Sequence, residues 1–163
     1  MPYSDVPMQG LHLTADLHRC QCAAQRFTDA PALLQACLDA VRASGLRAVA
    51  QLAHAFPARP EQPSGVTATV LLAESHLCVH TWPEQQAATL DVYVCNFGAD
   101  HSAKAHVLIT ALIALFEPQH VERHEITRGA ACHSRLDRES TSEDGFPVKP
   151  GMTEGTGNDG KGL

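Results

Sequence analysis

The chain has 163 residues, 44% of them hydrophobic, with a formal net charge of −6 and a pI of about 5.9. This length predicts one domain with a real core, and the acidic balance gives no sign of a nucleic-acid or anionic membrane partner. No run approaches the roughly 20 apolar residues that span a bilayer, and residues 1–5 lack the basic and apolar regions of a signal peptide. We therefore expect a cytoplasmic protein whose six cysteines are reduced thiols.

Hydrophobic periodicity and capping residues divide the chain into elements. Residues 10–18 alternate between apolar and polar side chains, which is typical of a half-buried strand. Asp29 and Pro31 mark the start of an amphipathic helix and Gly45 marks its end, because these residue types suit an N-cap, a first turn and a C-terminal cap. A second helix is predicted to begin with a cap at Ser102. Further strands are predicted at residues 46–54, 66–73, 89–95 and 120–128, and within the stretch 74–84 before a turn at residues 83–86.

The order β-α-β-β-β-β-α-β predicts an α+β fold. We expect a two-layer α/β sandwich, in which a mainly antiparallel sheet carries both helices on one face. The short link between the strands at 74–84 and 89–95 predicts a hairpin, and the charges of residues 120–128 suit an edge strand. The other sheet face should be partly apolar, and a dimer that stacks sheet on sheet in four layers would bury it. The domain is expected at residues 1–137, followed by a disordered tail at residues 138–163, which have little to bury.

The stretch from Glu74 to Glu84 concentrates reactive side chains, in the order Glu-Ser-His-Leu-Cys-Val-His-Thr-Trp-Pro-Glu. Strand alternation puts His76, Cys78 and His80 on one face. These three side chains could share a metal, as the His-x-His pairs of some zinc sites do, and each could also be an ordinary structural residue. A metal site would leave the Glu-Ser start unexplained, so we expect none.

This stretch resembles the signature of prokaryotic S-adenosylmethionine decarboxylases, which are pyruvoyl enzymes of polyamine synthesis. The likeness continues upstream at Gly65-Val-Thr67 and downstream at Asp91-Val-Tyr-Val-Cys95, and it covers about residues 10–129 in consistent order. The resemblance implies a self-processing, pyruvoyl-dependent carboxy-lyase that makes the aminopropyl donor for spermidine synthesis. It also implies a homodimer of processed protomers, with active sites near the subunit interface.

The resemblance further implies that the chain breaks between Glu74 and Ser75. In the family, the serine hydroxyl attacks the preceding carbonyl to form an ester, and elimination followed by hydrolysis leaves a pyruvoyl group. Carried over, the products are a β chain of residues 1–74 and an α chain of residues 75–163 that begins with a pyruvoyl group derived from Ser75. This group forms a Schiff base with the substrate amine and acts as an electron sink during loss of CO2.

Other roles carry over from matched positions. His80 matches the base for the elimination step, and Thr67 falls where many relatives have a serine that assists processing. Cys95 matches the general acid that protonates the substrate α-carbon after decarboxylation. Phe56 matches an aromatic residue that stacks on adenine, and Glu84 matches a carboxylate that binds ribose hydroxyls. Each of these residues also has a purely structural interpretation, as part of the core or of a strand.

Two departures from the family pattern leave the substrate open. Gln85 and Gln86 follow the Trp-Pro-Glu sequence where many relatives have an aromatic residue and a glycine, and the loop after His54 is longer and rich in proline. Phe56 favours S-adenosylmethionine as the substrate. An acidic lining would favour L-ornithine or L-arginine on the same scaffold, and its candidates are Glu61, Glu84 and Asp91. A remote alternative is an unprocessed metal-binding or regulatory subunit.

Overall fold

A computed structural model describes residues 9–58, 60 and 63–129, which contain six strands, three α-helices and one 3₁₀ turn. The elements in chain order are β1 (Gly10–Cys20), α1 (Gln25–Thr28), α2 (Ala30–Ala43), β2 (Ala48–Ala55), β3 (Val66–Leu72), β4 (Ser75–Trp82), the 3₁₀ turn (Pro83–Gln85), β5 (Ala87–Cys95), α3 (Ser102–Ala114) and β6 (Pro118–Arg128). This order agrees with the prediction, to which the structure adds the short helix α1 and the 3₁₀ turn.

The six strands form one antiparallel sheet in the order β2-β3-β4-β5-β1-β6. Consecutive strands from β2 to β5 are neighbours, which confirms the predicted hairpin of β4 and β5. Strand β1 lies between β5 and β6, so the first and last strands pair with each other. β6 is an edge strand, as its charges predicted. The α+β class and the antiparallel two-layer architecture are therefore confirmed.

One face of the sheet is apolar and is covered by the helices. Every second residue of β3 is buried, and β1, β4 and β5 alternate in the same way over most of their length. Helix α2 packs on β2 and β3, whereas α3 packs on β1 and β5. The helices contribute buried apolar side chains to a single core, among them Leu33, Cys37, Val41, Leu108 and Leu112.

The start of α2 follows the prediction, whereas the start of α3 differs. The Asp29 carboxylate accepts a hydrogen bond from a backbone N–H of the first turn at 3.0 Å, and Gly45 follows the helix with a φ of +73°. The predicted cap Ser102 is instead the first residue of α3, after the N-cap residue His101. The Asp100 carboxylate accepts the Ser102 N–H at 2.8 Å. Hydrogen bonds from the Ser102 side chain and backbone lower the pKa of the Asp100 carboxyl.

The second face of the sheet, called the open face below, is more polar than predicted. Polar side chains lie there at every second residue along most of β1, and at His76, Cys78 and His80 of β4. The large exposed apolar side chains on this face are Leu52, Leu71, Trp82 and Ile126. The expectation of a partly apolar face therefore holds at these positions, whereas the rows of β1 and β4 are mainly polar.

The predicted tail at residues 138–163 and the domain boundary after residue 137 lie outside the described residues. Within the described ranges, no helix is long and apolar enough to cross a membrane.

The five cysteines of the described residues are free thiols. Burial raises the pKa of Cys37 to about 12 and that of Cys20 to about 11. Both therefore remain neutral near pH 7, and the side chain of Cys37 packs within the core.

Candidate active site

The predicted cleavage point lies in the exposed turn between β3 and β4. Leu72 pairs with Ser75, which leaves Ala73 and Glu74 as the two turn residues. Glu74 has a φ of +64°, in the left-handed region, where a residue with a Cβ costs roughly 1 kcal/mol. Strained backbone of this kind clusters at functional sites, and here it directly precedes the Glu74–Ser75 bond.

Ser75 is the first residue of β4, and the end of β5 holds its hydroxyl. The Ser75 Oγ accepts a hydrogen bond from the backbone N–H of Cys95 at 3.0 Å. Both residues are half-buried. The serine and cysteine to which the sequence assigned chemical roles therefore lie together at one end of the sheet. Glu74, Ser75 and Cys95 are called the turn site below.

Beside the turn site, Asp91 joins two histidines on the open face. Its Oδ2 lies 2.8 Å from Nε2 of His12, and its Oδ1 lies 3.5 Å from Nε2 of His76. Within the described residues, this Oδ1 is buried and has no hydrogen-bond partner. The Tyr93 ring lies next to both imidazoles, and the guanidinium of Arg128 lies 5.7 Å from the centre of that ring. These contacts fix the side chains at the start of β4.

A glycine makes room for the Asp91 network. A Cβ on Gly10 would stand 2.6 Å from the Tyr93 hydroxyl, so only glycine lets this ring lie across β1. No motif in the sequence links His12, Asp91 and Tyr93 in a joint role. Strand alternation assigns each residue to a sheet face, but the register that makes neighbours of β1 and β5 cannot be read from the chain.

At the opposite end of β4, a cleft of about 480 Å³ opens beside the loop between β2 and β3. This volume lies in the range of small-molecule pockets, about 300–1,000 Å³. The rings of Phe56 and Trp82 are 51% and 45% exposed, and both line the cleft. Predicted site residues also line it, namely Thr67, His80 and Glu84. The cleft thus offers two aromatic surfaces, one carboxylate and one imidazole to a ligand.

Short backbone contacts fix the wall of the cleft. A Cβ on Gly65 would overlap the carbonyl oxygen of Thr81, so glycine is required for this approach. The buried Thr81 hydroxyl accepts a hydrogen bond from the N–H of Val66 at 2.7 Å and donates one to the carbonyl of Phe27 at 2.6 Å. The second bond ties α1 to the sheet. The N–H of Phe56 donates to the carbonyl of Gly65 at 3.0 Å and closes the loop at its base.

His80 has both ring nitrogens in contact within its own chain. Its Nδ1 lies 2.8 Å from Oγ1 of Thr67, and its Nε2 lies 3.3 Å from Sγ of Cys78. The Cys78 Sγ lies 3.3 Å from Oγ1 of Thr69. Strand register explains the arrangement, because Thr67 pairs with His80 and Thr69 pairs with Cys78. The histidine and the hydroxyl to which the sequence assigned processing roles are therefore in direct contact.

The turn site and the cleft do not meet within one chain. Ser75 and His80 are five residues apart on a strand that rises about 3.3 Å per residue, so their Cα atoms are about 16 Å apart. Strand alternation also assigns their side chains to opposite faces. The predicted site residues therefore form two separate groups. One is Ser75 with Cys95, and the other is Phe56, Thr67, His80 and Glu84.

The three candidate metal ligands have other contacts. His76 lies beside Asp91, whereas Cys78 and His80 contact each other. Across residues 9–58, 60 and 63–129, no group of three or more histidine, cysteine, aspartate or glutamate residues is arranged to hold a metal ion. The described residues therefore give the metal-binding hypothesis no support.

A two-layer α+β fold with a serine at a left-handed turn and a cleft of small-molecule size is typical of an enzyme that acts on a small molecule. The profile of the family described as S-adenosylmethionine decarboxylase matches residues 11–129. The chain belongs to this family of carboxy-lyases, which confirms the resemblance seen in the sequence.

Individual relatives agree with the family match. The S-adenosylmethionine decarboxylase proenzyme of Methanococcus maripaludis strain C5 is 32% identical over 120 residues, which is 74% of this chain and 89% of the relative. That of Aquifex aeolicus is 35% identical over 121 residues, which is 74% of this chain and 81% of the relative. The crystal structure of the adenosylmethionine decarboxylase from Aquifex aeolicus matches with a TM-score of 0.64 at 29% identity, and the match covers 83% of this chain and 99% of that chain. These names give no support to the L-ornithine or L-arginine alternative.

Proposed function

We propose that this protein is a self-processing S-adenosylmethionine decarboxylase whose pyruvoyl group is formed from Ser75. The observation that carries the proposal is the turn site, in which a left-handed Glu74 precedes a serine whose Oγ is held by the N–H of Cys95. Membership of the family and the names of the relatives support the substrate.

The residues of the turn site suit the self-cleavage steps. The Ser75 Oγ attacks the carbonyl carbon of Glu74, and the C–N bond is exchanged for an ester C–O bond. Removal of the Ser75 α-proton then expels the Glu74 carboxylate, and hydrolysis of the remaining dehydroalanine releases ammonia. The strain at Glu74 favours the reaction, since the left-handed conformation relaxes once the bond is broken. The imidazole of His80 suits the proton removal because a neutral imidazole carries a ring nitrogen lone pair that accepts a proton.

Cys95 suits the role of proton donor to the substrate. The pyruvoyl group supplies a carbonyl that binds the substrate amine and takes up the electron pair released with CO2. The backbone N–H of Cys95 donates a hydrogen bond to the Ser75 Oγ. The half-buried Cys95 residue therefore lies next to the atoms that react. A general acid at this point returns a proton to the carbon that has lost CO2.

The cleft suits a nucleoside better than a basic amino acid. The exposed ring of Phe56 offers a stacking surface for adenine, and Glu84 offers a carboxylate to ribose hydroxyls. Of the three acidic residues that would favour L-ornithine or L-arginine, only Glu84 is among the described residues of the cleft. Asp91 lies outside it and contacts His12, and Glu61 is outside the described residues.

The separation of the turn site from the cleft supports a homodimer with shared active sites. Within one chain, the Cα atoms of Ser75 and His80 are about 16 Å apart, too far for direct proton transfer. A two-fold axis that lies between two open faces and runs across the strands exchanges the two ends of the sheet, and it brings the cleft of one copy toward the turn site of the other. Each active site then combines Ser75 and Cys95 of one copy with His80 and Phe56 of the second.

A cytoplasmic location completes the proposal. A reducing compartment keeps the thiol of Cys95 available as an acid, and the cysteines of the described residues are all free.

Intact-protein mass spectrometry followed by a decarboxylation assay tests the proposed function. We expect two fragments, residues 1–74 and residues 75–163, the second with a blocked N-terminus. Release of CO2 is then measured with S-adenosylmethionine, L-ornithine and L-arginine in parallel, and only the first should react. An inactive single chain, or turnover of a basic amino acid instead, contradicts the proposal.

Mixed dimers test the shared site. Ser75→Ala and His80→Ala chains carry different tags and are expressed together, and mixed dimers are purified through both tags. Each variant alone should remain uncleaved. In the mixed dimer, the His80→Ala chain should be cut, because it keeps Ser75 and receives the imidazole of its partner. If this chain stays intact in mixed dimers, the site is not shared.

A further inference from the structure

Cys78 has no part in the function proposed above, yet its sulfur contacts the second ring nitrogen of His80. The Sγ lies 3.3 Å from Nε2, while Nδ1 of the same ring lies 2.8 Å from Thr67 Oγ1. Cys78 is half-buried, whereas His80 is exposed. The thiol is thus more buried than the imidazole, and its Sγ also lies 3.3 Å from Thr69 Oγ1.

Hydrogen bonds join four side chains in series, in the order Thr67, His80, Cys78 and Thr69. The donors and acceptors of this series can be arranged in two ways. In the first, the hydroxyl of Thr67 donates to Nδ1, Nε2–H donates to the Cys78 sulfur, and the thiol donates to Thr69. In the second, every donor is reversed and Nδ1 carries the ring proton. Only the first arrangement leaves Nδ1 with a lone pair toward the Thr67 hydroxyl, which lines the cleft.

We propose that Cys78 is a positioning residue for His80. Its sulfur accepts the Nε2–H, which fixes the ring and keeps the lone pair of Nδ1 on the side of Thr67 and the cleft, where His80 acts as the base. A hydroxyl, a base and a third group that orients the base recur in unrelated enzymes, and here a thiol takes the place of the usual carboxylate. The consequence for self-cleavage rests on the proposed function, whereas the ring orientation does not.

Nitrogen-15 NMR of histidine-labelled protein tests the orientation. The measurement is made on the Ser75→Ala variant, so that every molecule is uncleaved. The signals of the His80 ring are assigned as those that disappear when His80→Gln is added. We expect the Nε2–H form of His80, with signals that move when Cys78→Ala is added. Cys22→Ala removes another half-buried thiol and should leave them unchanged. The proposal is overturned if His80 is in the Nδ1–H form, or if its signals do not change when Cys78→Ala is added.

Cleavage rates test the consequence. With Ser75 present, the intact mass is followed over time after synthesis. Cys78→Ala should slow cleavage about fivefold, the effect of losing one neutral hydrogen bond. Cys78→Ser keeps a hydroxyl acceptor and should restore most of the rate, whereas Cys22→Ala should cleave like the parent. Equal rates for Cys78→Ala and the parent, or equally slow Cys78→Ala and Cys78→Ser, contradict a positioning role.

The failure of this inference and that of the proposed function give different results. If His80→Gln cleaves as fast as the parent, the processing role of His80 is wrong, and the NMR signals alone decide whether Cys78 orients the ring. If His80→Gln blocks cleavage and Cys78→Ala has no effect, the proposed function stands and the role of Cys78 is rejected.

Discussion

The turn site and the cleft lie at opposite ends of the same strand, and they are built in different ways. The turn site depends on backbone, with a left-handed Glu74 and an N–H of Cys95 that holds Ser75. The cleft depends on side chains that pair across β3 and β4, together with exposed aromatic rings. The difference suits the two proposed tasks, because strain at a strand end favours a bond change in the chain and a sheet face offers a surface for recognition.

The largest expected effect is the loss of all cleavage and all decarboxylation in Ser75→Ala. The variant lacks the hydroxyl that attacks Glu74 and therefore forms no pyruvoyl group. Intact mass should show one chain, and no CO2 should be released from S-adenosylmethionine. Ser64→Ala removes a serine from the cleft and should still be cut. Normal turnover by Ser75→Ala would falsify the pyruvoyl account.

Cys95→Ala should separate the two reactions of the turn site. The backbone N–H that holds Ser75 remains, so cleavage continues, while the lost general acid lowers kcat by about 100-fold or more. Mass spectrometry and steady-state kinetics on the same preparation measure both effects. Cys22→Ala is the matched control for thiol loss. A kcat equal to that of the parent would remove Cys95 from the reaction.

A change in the cleft should affect recognition and leave cleavage alone. Phe56→Ala removes the stacking surface, and we expect KM for S-adenosylmethionine to rise about tenfold, because stacking on one base is worth roughly 1–3 kcal/mol. Phe56→Tyr keeps the ring and should stay close to the parent. If Phe56→Ala blocked self-cleavage, the division of tasks between the two regions would be wrong.

The smallest effect is expected for Asp91→Asn, next to the turn site. This change keeps the shape and removes the charge that His12 and His76 contact, so the start of β4 is held less firmly. We expect kcat to fall about threefold, consistent with the weakening of one hydrogen bond worth about 0.5–1.5 kcal/mol, with little change in KM. Asp39→Asn weakens an exposed pair on α2 and serves as the control. Equal kcat values for the two variants would leave the Asp91 network without a part in turnover.

Much of the fold follows from local patterns in the sequence. Alternation and capping residues predicted the strands, both long helices and the cap at Asp29, and the motif around Ser75 led to the family. The pairing of β4 with β5 also followed, because a short link between two strands favours a hairpin.

Features that depend on distant register were not predicted. The insertion of β1 between β5 and β6 creates the network of His12, Asp91 and Tyr93, and no local signal encodes it. The cap of α3 was predicted wrongly because Asp100 supplies an acceptor of the same kind two residues earlier. The rise of an ideal strand gives the distance from Ser75 to His80. The structure is needed to show that both residues lie on one continuous strand, β4.

The position of β1 has a consequence for the protein after the proposed cleavage. Residues 1–74 contain β1, β2 and β3, and residues 75–129 contain β4, β5 and β6, so the sheet order interleaves strands of the two fragments. Strand β1 of the first fragment is hydrogen-bonded on both edges to strands of the second. Separation of the fragments therefore requires unfolding of the sheet, and refolding of the cut protein becomes a bimolecular reaction whose yield depends on concentration.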